Sequence, residues 1–247
     1  MMLKAIPFMT LPRAVLFFGL PLLLMAAVFW GFIPLLDLMG VRMFNTWMIA
    51  VGAPMLFLLL LSIRFYRKEG YSWDLNEFRR RFRLIRMNRA DWLWTIALTG
   101  LFFVSHRVLS FTSNPISGFV AEPKFLIRML EKDPNYFMEL SMKGNWFLFP
   151  GTLLIILLAV LGQELWLRGY ILPRQELVHG RLTWIVHGLL WTAWYLFLPW
   201  HIFRYLPGAL AIAYVAQHRQ NTWPGLIAHF AVYIPVLVRI FSGVTQT

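Results

Sequence analysis

Long apolar runs alternate with short polar segments along the whole chain. The runs cover about residues 14–38, 47–63, 92–109, 146–167, 182–200, 203–216 and 223–241. Most approach the ~20 residues a helix needs to cross ~30 Å of hydrocarbon. A bilayer offers no partner to free backbone N–H and C=O groups, so such runs form helices and not open strands. The pattern therefore predicts an all-α fold, a polytopic helical bundle of about seven transmembrane helices in a single membrane domain over 1–247. The first run exceeds the ~7–15 apolar residues of a signal peptide and lacks a small-residue cleavage site, so it is expected to be retained as a span. The sixth run is short and contains Pro207 and Gly208; losing it would move the C-terminus to the other side.

Composition supports this reading. Of 247 residues, 59% are hydrophobic and 14% charged, against ~25% charged in ordinary soluble domains. A disordered chain, a coiled coil and a typical soluble enzyme are excluded. The net charge of +12 would suggest nucleic acid in a soluble protein. Here the bases gather between apolar runs, with Arg64, Arg67, Lys68, Arg79, Arg80, Arg81, Arg83, Arg86 and Arg89 in one stretch. The positive-inside rule and anionic lipid headgroups explain that placement, and no nucleic acid partner is expected. Residues 64–91 are thus expected to form a basic cytoplasmic loop, with an amphipathic helix within 74–89 lying on the leaflet. Alternation then places Lys4, Arg13, residues 168–181, His218 and Arg219 on the same side, with the N-terminus inside and residues 110–144 outside. The chain has no cysteine, which excludes thiol nucleophiles and Cys-ligated metal. No prenyl attachment is expected on its last residues.

Ionisable groups within spans are costly, and each is a candidate site. They are Gln163, Glu164 and Arg168 at the end of the fourth run, His187 and Tyr195 in the fifth, and His229 and Tyr233 in the seventh. Glu164 and Arg168 stand four apart, as do His229 and Tyr233, so each pair shares a helix face. Taken singly, each also fits a structural role, as a helix-end ion pair or a hydrogen-bonded packing histidine.

Together they carry a resemblance. The stretch from Gly162 through Gln163, Glu164, Arg168, Gly169 and Tyr170 to Arg174 resembles the first signature of the CPBP family, the CAAX prenyl endopeptidases and bacteriocin-processing (Abi) intramembrane proteases. That signature is Glu-Glu-x-x-x-Arg, commonly followed by Gly-Tyr. Trp191 to Tyr195 aligns with the second signature, Phe/Trp-x-x-x-His, and His229 to Tyr233 with the third, His-x-x-x-Asn/Asp. The resemblance covers about residues 145–240. It implies a CAAX-protease-like bundle with a cytoplasm-facing cavity between spans four, five and seven. In the family the first Glu and the motif-two His are taken to activate the attacking water, and the motif-three His and Asn to stabilise the oxyanion; the family is often described as metalloproteases.

This chain departs from the pattern at three of those positions. Gln163 replaces the first Glu, Tyr195 the His and Tyr233 the Asn, while Glu164, Arg168 and His229 remain. An amide is no general base, and a phenol with a reference pKa of ~10 is a poor one. Tyr is also a poor replacement for a His metal ligand. The Tyr233 hydroxyl can still donate to an oxyanion. The reading that follows is a catalytically degenerate pseudoprotease that binds a transmembrane or membrane-delivered protein partner, or a peptide, in the former substrate cavity. The alternatives are an active endopeptidase with a site rebuilt from Glu164, His187 or His201 with His229, and a transporter or channel subunit. No cofactor is expected, with zinc entering only if the site is rearranged. The expected location is a bacterial cytoplasmic membrane with the N-terminus inside.

Overall fold

The computed structural model describes residues 6–130 and 133–246, so Lys4 lies outside the described residues. It is almost entirely helical. α1 (Leu11–Ala27) opens with a proline in its first turn, where a missing N–H costs nothing. It runs through a π-helical turn, Val28–Phe32, into α2 (Ile33–Leu38). α3 (Met43–Lys68) returns and stops before Gly70, which takes a left-handed conformation (φ +81°). The short α4 (Leu75–Arg81) starts where Asp74 accepts a hydrogen bond from the Glu77 N–H at 2.8 Å. α5 (Arg89–Val108) starts with a reciprocal capping box between Asn88 and Asp91. α6 (Ser113–Ser117), α7 (Lys124–Leu130) and a hairpin of β1 (Tyr136–Phe137) with β2 (Leu140–Ser141) fill the next connection. α8 (Leu148–Glu164) continues through a second π-helical stretch, Leu165–Ile171, into α9 (Leu172–His179). α10 (Thr183–Trp194), α11 (Ile202–Arg219), α12 (Trp223–Ala231) and α13 (Ile234–Val244) complete the chain.

Among the described residues, four helices are long and apolar enough to cross a membrane, or five if α12 and α13, bent by 42°, count as one. The fourth is a run over Leu148–Phe197 that contains both the fourth and fifth apolar stretches. α11 has the length but carries Arg204, Gln217, His218 and Arg219, and is not among them.

α3 packs along α8, α10 along α11, and α5 against both α11 and α12. Two of these contacts bring backbones together. A Cβ on Gly162 would stand 2.5 Å from the Met55 carbonyl oxygen, and one on Gly188 would stand 2.8 Å from Leu210 Cα. Close approach at small residues is how helices gain contact in lipid, where no hydrophobic force drives them together.

The basic stretch departs from expectation. Between α3 and α5 only Leu75–Arg81 is helical, because Arg83 turns the chain with a positive φ of 54°. The segment then folds onto the bundle. Phe82 is 1% exposed and packs against Gly169 and Tyr66. Arg81 reaches Glu69 at 2.7 Å and donates to the Gly169 carbonyl, Arg174 meets the same Glu69, and Arg83 grips Glu176 at 2.7 Å. Burial pushes the Arg81 guanidinium down from its ordinary value. Thr222 donates from its N–H to Arg83 O and from its hydroxyl to Phe82 O, both at 2.8 Å. Arg64, Arg67, Lys68, Arg79, Arg80, Arg86 and Arg89 stay exposed.

Gly162→Ala should lower the thermal midpoint of the detergent-solubilised protein by the equivalent of about 2 kcal/mol, through overpacking of α3 on α8. Gly19→Ala, with nothing within 4 Å of its new methyl group, should leave the midpoint unchanged or higher. Equal effects at the two positions would contradict the close α3–α8 contact.

Candidate functional site

The helix that bears the first motif changes its winding at the motif. α8 ends at Glu164 and the chain continues as a π-helical stretch over Leu165–Ile171, a feature that accumulates at functional sites. Gln163 and Glu164, successive residues about 100° apart around α8, point at different neighbours. Gln163 faces α3 and α10: its amide N–H approaches Met55 Sδ at 3.7 Å, and its Oε1 accepts from the Tyr195 hydroxyl at 3.2 Å. Glu164 faces α12, with Oε1 2.9 Å from His229 Nδ1. Opposite a carboxylate, which only accepts, Nδ1 is the donor.

Arg168 Nη1 stands 3.2 Å from Glu164 Oε1, close enough to pair but not aligned as a hydrogen bond. The two residues stand four apart, with Arg168 inside the π-helical stretch. The Arg168 guanidinium lies over the Trp191 ring at 3.6 Å, a cation–π contact that is stronger away from water. Glu164 and Arg168 are fully buried, and His229 is 5% exposed. Glu164 Oε2 accepts no hydrogen bond among the described residues.

His187 lies elsewhere. Its Nδ1 meets Gln175 Oε1 at 2.6 Å and its ring stands edge-on to Phe18. Tyr233 does join the site, its ring 6.0 Å from His229. Tyr205 joins it too, stacked on Tyr195 with centroids 4.0 Å apart. Sequence reasoning passed over Tyr205 because the sixth run carries no motif. The signal was present in the polar start of that run, where His201, Arg204 and Tyr205 precede the apolar part.

Two cavities meet here. One, of about 510 Å³, is lined by Phe102, Trp191, His229, Tyr233 and Arg239, among others. The other, of about 460 Å³, is lined by Met55, Gln163, His201 and Arg204, among others. Tyr195, Tyr205, Tyr233 and His106 line both and form the wall between them.

Both cavities lie toward the end of the bundle that carries residues 110–144. Arg204 donates to Ser110 O at 2.9 Å, Arg239 donates to the Asp133 and Tyr136 carbonyls, and Leu126 and Met129 of α7 line the second cavity. Among the described residues, these two cavities do not lie on the side of the Arg-rich loop, where the cavity is expected. Phe82, Tyr66 and the Arg81–Glu69–Arg174 ion cluster fill that end beneath Gly169.

The donor set does not suit zinc. Among the described residues no group of three or more His, Asp or Glu is gathered to hold a metal. Around His229 the only anionic donor is Glu164, already bonded to the imidazole, while Gln163 and Tyr195 are occupied with each other. Structural and catalytic zinc sites need three or four His, Cys or carboxylate ligands.

Residues 145–234 match the family model described as Type II CAAX prenyl endopeptidase Rce1-like. The match takes in little more than a third of the chain, and all three motif positions fall inside it. No curated protein and no solved structure matches the chain. The family match and the long apolar helices together describe a membrane-embedded protein whose motif-bearing region is similar to CAAX proteases.

Glu164→Gln and Arg168→Ala should each destabilise the protein by about 3 kcal/mol, since each strands a buried charge. The double variant should fall short of the sum by more than about 1 kcal/mol. Reversible denaturation in mixed micelles checks this, and strict additivity would show that the pair is not one unit.

Proposed function

We propose that this is a CAAX-protease-like membrane protein without the family's catalysis, which binds a transmembrane segment or membrane-delivered peptide of a partner protein in the cavity beside His229. The observation that carries the reading is the Gln163–Tyr195 hydrogen bond at 3.2 Å. The two positions that resemblance assigns to water activation are still in contact, but both groups are neutral. Neither accepts a proton at working pH. Glu164, Arg168, His229 and Tyr233 are the remaining family positions, and in this reading they shape the pocket. Its mostly apolar walls with a few convergent polar groups suit an apolar peptide with one exposed backbone carbonyl.

In the same proposal the chain crosses the membrane seven times, with α11 and the bent α12–α13 pair as the last two spans. The exposed arginines of 64–89 lie against anionic headgroups on the cytoplasmic side, the N-terminus shares that side, and the membrane is a bacterial cytoplasmic one. The concentration of bases at one end supports this orientation. It places both cavities toward the outer face.

A second reading has one observation in its favour. Glu164 holds His229 at 2.9 Å and keeps Oε2 free of hydrogen bonds, so a carboxylate–imidazole pair capable of proton transfer lines the cavity. That would be an endopeptidase with a shifted site.

Cleavage of prenylated and transmembrane peptides in liposomes separates the two. The wild type should leave every peptide intact, while the triple variant Gln163→Glu, Tyr195→His, Tyr233→Asn should cleave. Cleavage by the wild type that His229→Ala abolishes would establish the second reading instead.

A further inference from the structure

The cavity across the tyrosine wall from His229 has a lining divided by chemistry. Most of its surface is apolar, supplied by Met25, Ile33, Met55, Leu126, Met129 and Ala159. At the end next to residues 110–113 it presents His106, His201 and Arg204. Arg204 spends Nη2 on the Ser110 carbonyl at 2.9 Å, and its Nε, shielded from solvent, donates to nothing among the described residues. Burial and the Arg204 guanidinium push the His201 imidazole down to about 4, so it is neutral at physiological pH. The acid on this face is Glu122, which accepts from Ser117 at 3.1 Å and acts on His201. It does not pair with Arg204. A shielded guanidinium N–H without a partner is costly, and an anion within reach of it recovers that cost.

We propose that this cavity binds a single-chain amphiphile with an anionic head. The carboxylate or phosphate sits at Arg204 beside the two imidazoles, and the acyl chain runs between α1, α3 and α8 toward Met55. The arrangement satisfies both halves of such a ligand at once, which neither a neutral lipid nor a free inorganic anion would do. Glu164, Arg168 and His229 do not line this cavity, while Gln163, Tyr195 and Tyr233 do; the test below reads binding and not cleavage, so its failure is distinguishable from failure of the pseudoprotease reading.

The test uses the purified full chain in nanodiscs of zwitterionic phosphatidylcholine, with cis-parinaric acid as probe. Its polyene accepts excitation energy from tryptophan, and Trp47 and Trp194 line the cavity. Saturable energy transfer is expected. The methyl ester of the same acid should bind about tenfold more weakly or worse, as should the acid to Arg204→Gln, since a charged hydrogen bond is lost. Arg204→Lys should retain most of the affinity. Competition by oleate and by lysophosphatidate then shows whether a carboxylate or a phosphate head is preferred. Equal affinity of acid and ester for the wild type, or an unchanged affinity in folded Arg204→Gln, would overturn the proposal. Should Arg204→Gln lose its thermal transition, the acid–ester comparison on the wild type decides alone.

Discussion

Everything polar inside this bundle must find its partner inside the protein, because the surrounding hydrocarbon offers none. That constraint gathers the interior polar groups into short sets, in which Glu164 Oε2, Gln175 Nε2 and His187 Nε2 still make no hydrogen bond among the described residues. Gln163 is tied to Tyr195, Glu164 to His229 and Arg168, and Gln175 to His187. At the Arg-rich end Glu69 serves two arginines and Glu176 a third. The Gln175–His187 set ties the successive α9 and α10, and the others join helices further apart in sequence, so the polar groups fix which helix faces which, while the apolar surface between them packs with less direction.

The same constraint explains how a catalytic pair can be lost without losing the fold. A carboxylate replaced alone by an amide would still accept from its imidazole partner but would leave a protonated imidazole without a counter-charge, and an imidazole replaced alone would strand a buried carboxylate. Replacing both by an amide and a phenol keeps one donor and one acceptor in contact and removes the charge. The result is cheaper to bury than an ionised pair and unable to move a proton at neutral pH. What stays charged, Glu164 with Arg168, holds the π-helical stretch against α10 and α12 through Trp191 and His229.

Much of this was legible in the sequence. The apolar runs located the long helices, and the resemblance of the three motifs implied a cavity between the helices that carry Gln163, Tyr195 and His229. The face separation of Gln163 and Glu164 also followed from helical geometry. Other features depend on tertiary context. The π-helical stretch at 165–171 changes the angular step of the helix, which no periodicity reveals in a segment that is apolar on all sides but for Arg168. The basic segment has the composition of a leaflet-bound helix, yet Glu69 just past the end of α3 and Glu176, remote in sequence, draw Arg81 and Arg83 onto the bundle. That recruitment closes one end and leaves the cavities at the other. The second cavity depends on His106, His201 and Arg204, which belong to different helices and share no sequence motif.

The central claim is that Gln163 and Tyr195 act as one neutral unit standing where a charged pair would do the chemistry. A stability cycle with Gln163→Glu and Tyr195→His, measured by reversible denaturation in mixed micelles, tests it most directly. The account predicts that Gln163→Glu alone is destabilising by about 2–3 kcal/mol, because it buries an ill-matched carboxyl beside a phenol. Adding Tyr195→His should recover at least about 1 kcal/mol of that loss. Purely additive effects would mean that the two side chains do not function together, and the account of a site disarmed as a pair would fail.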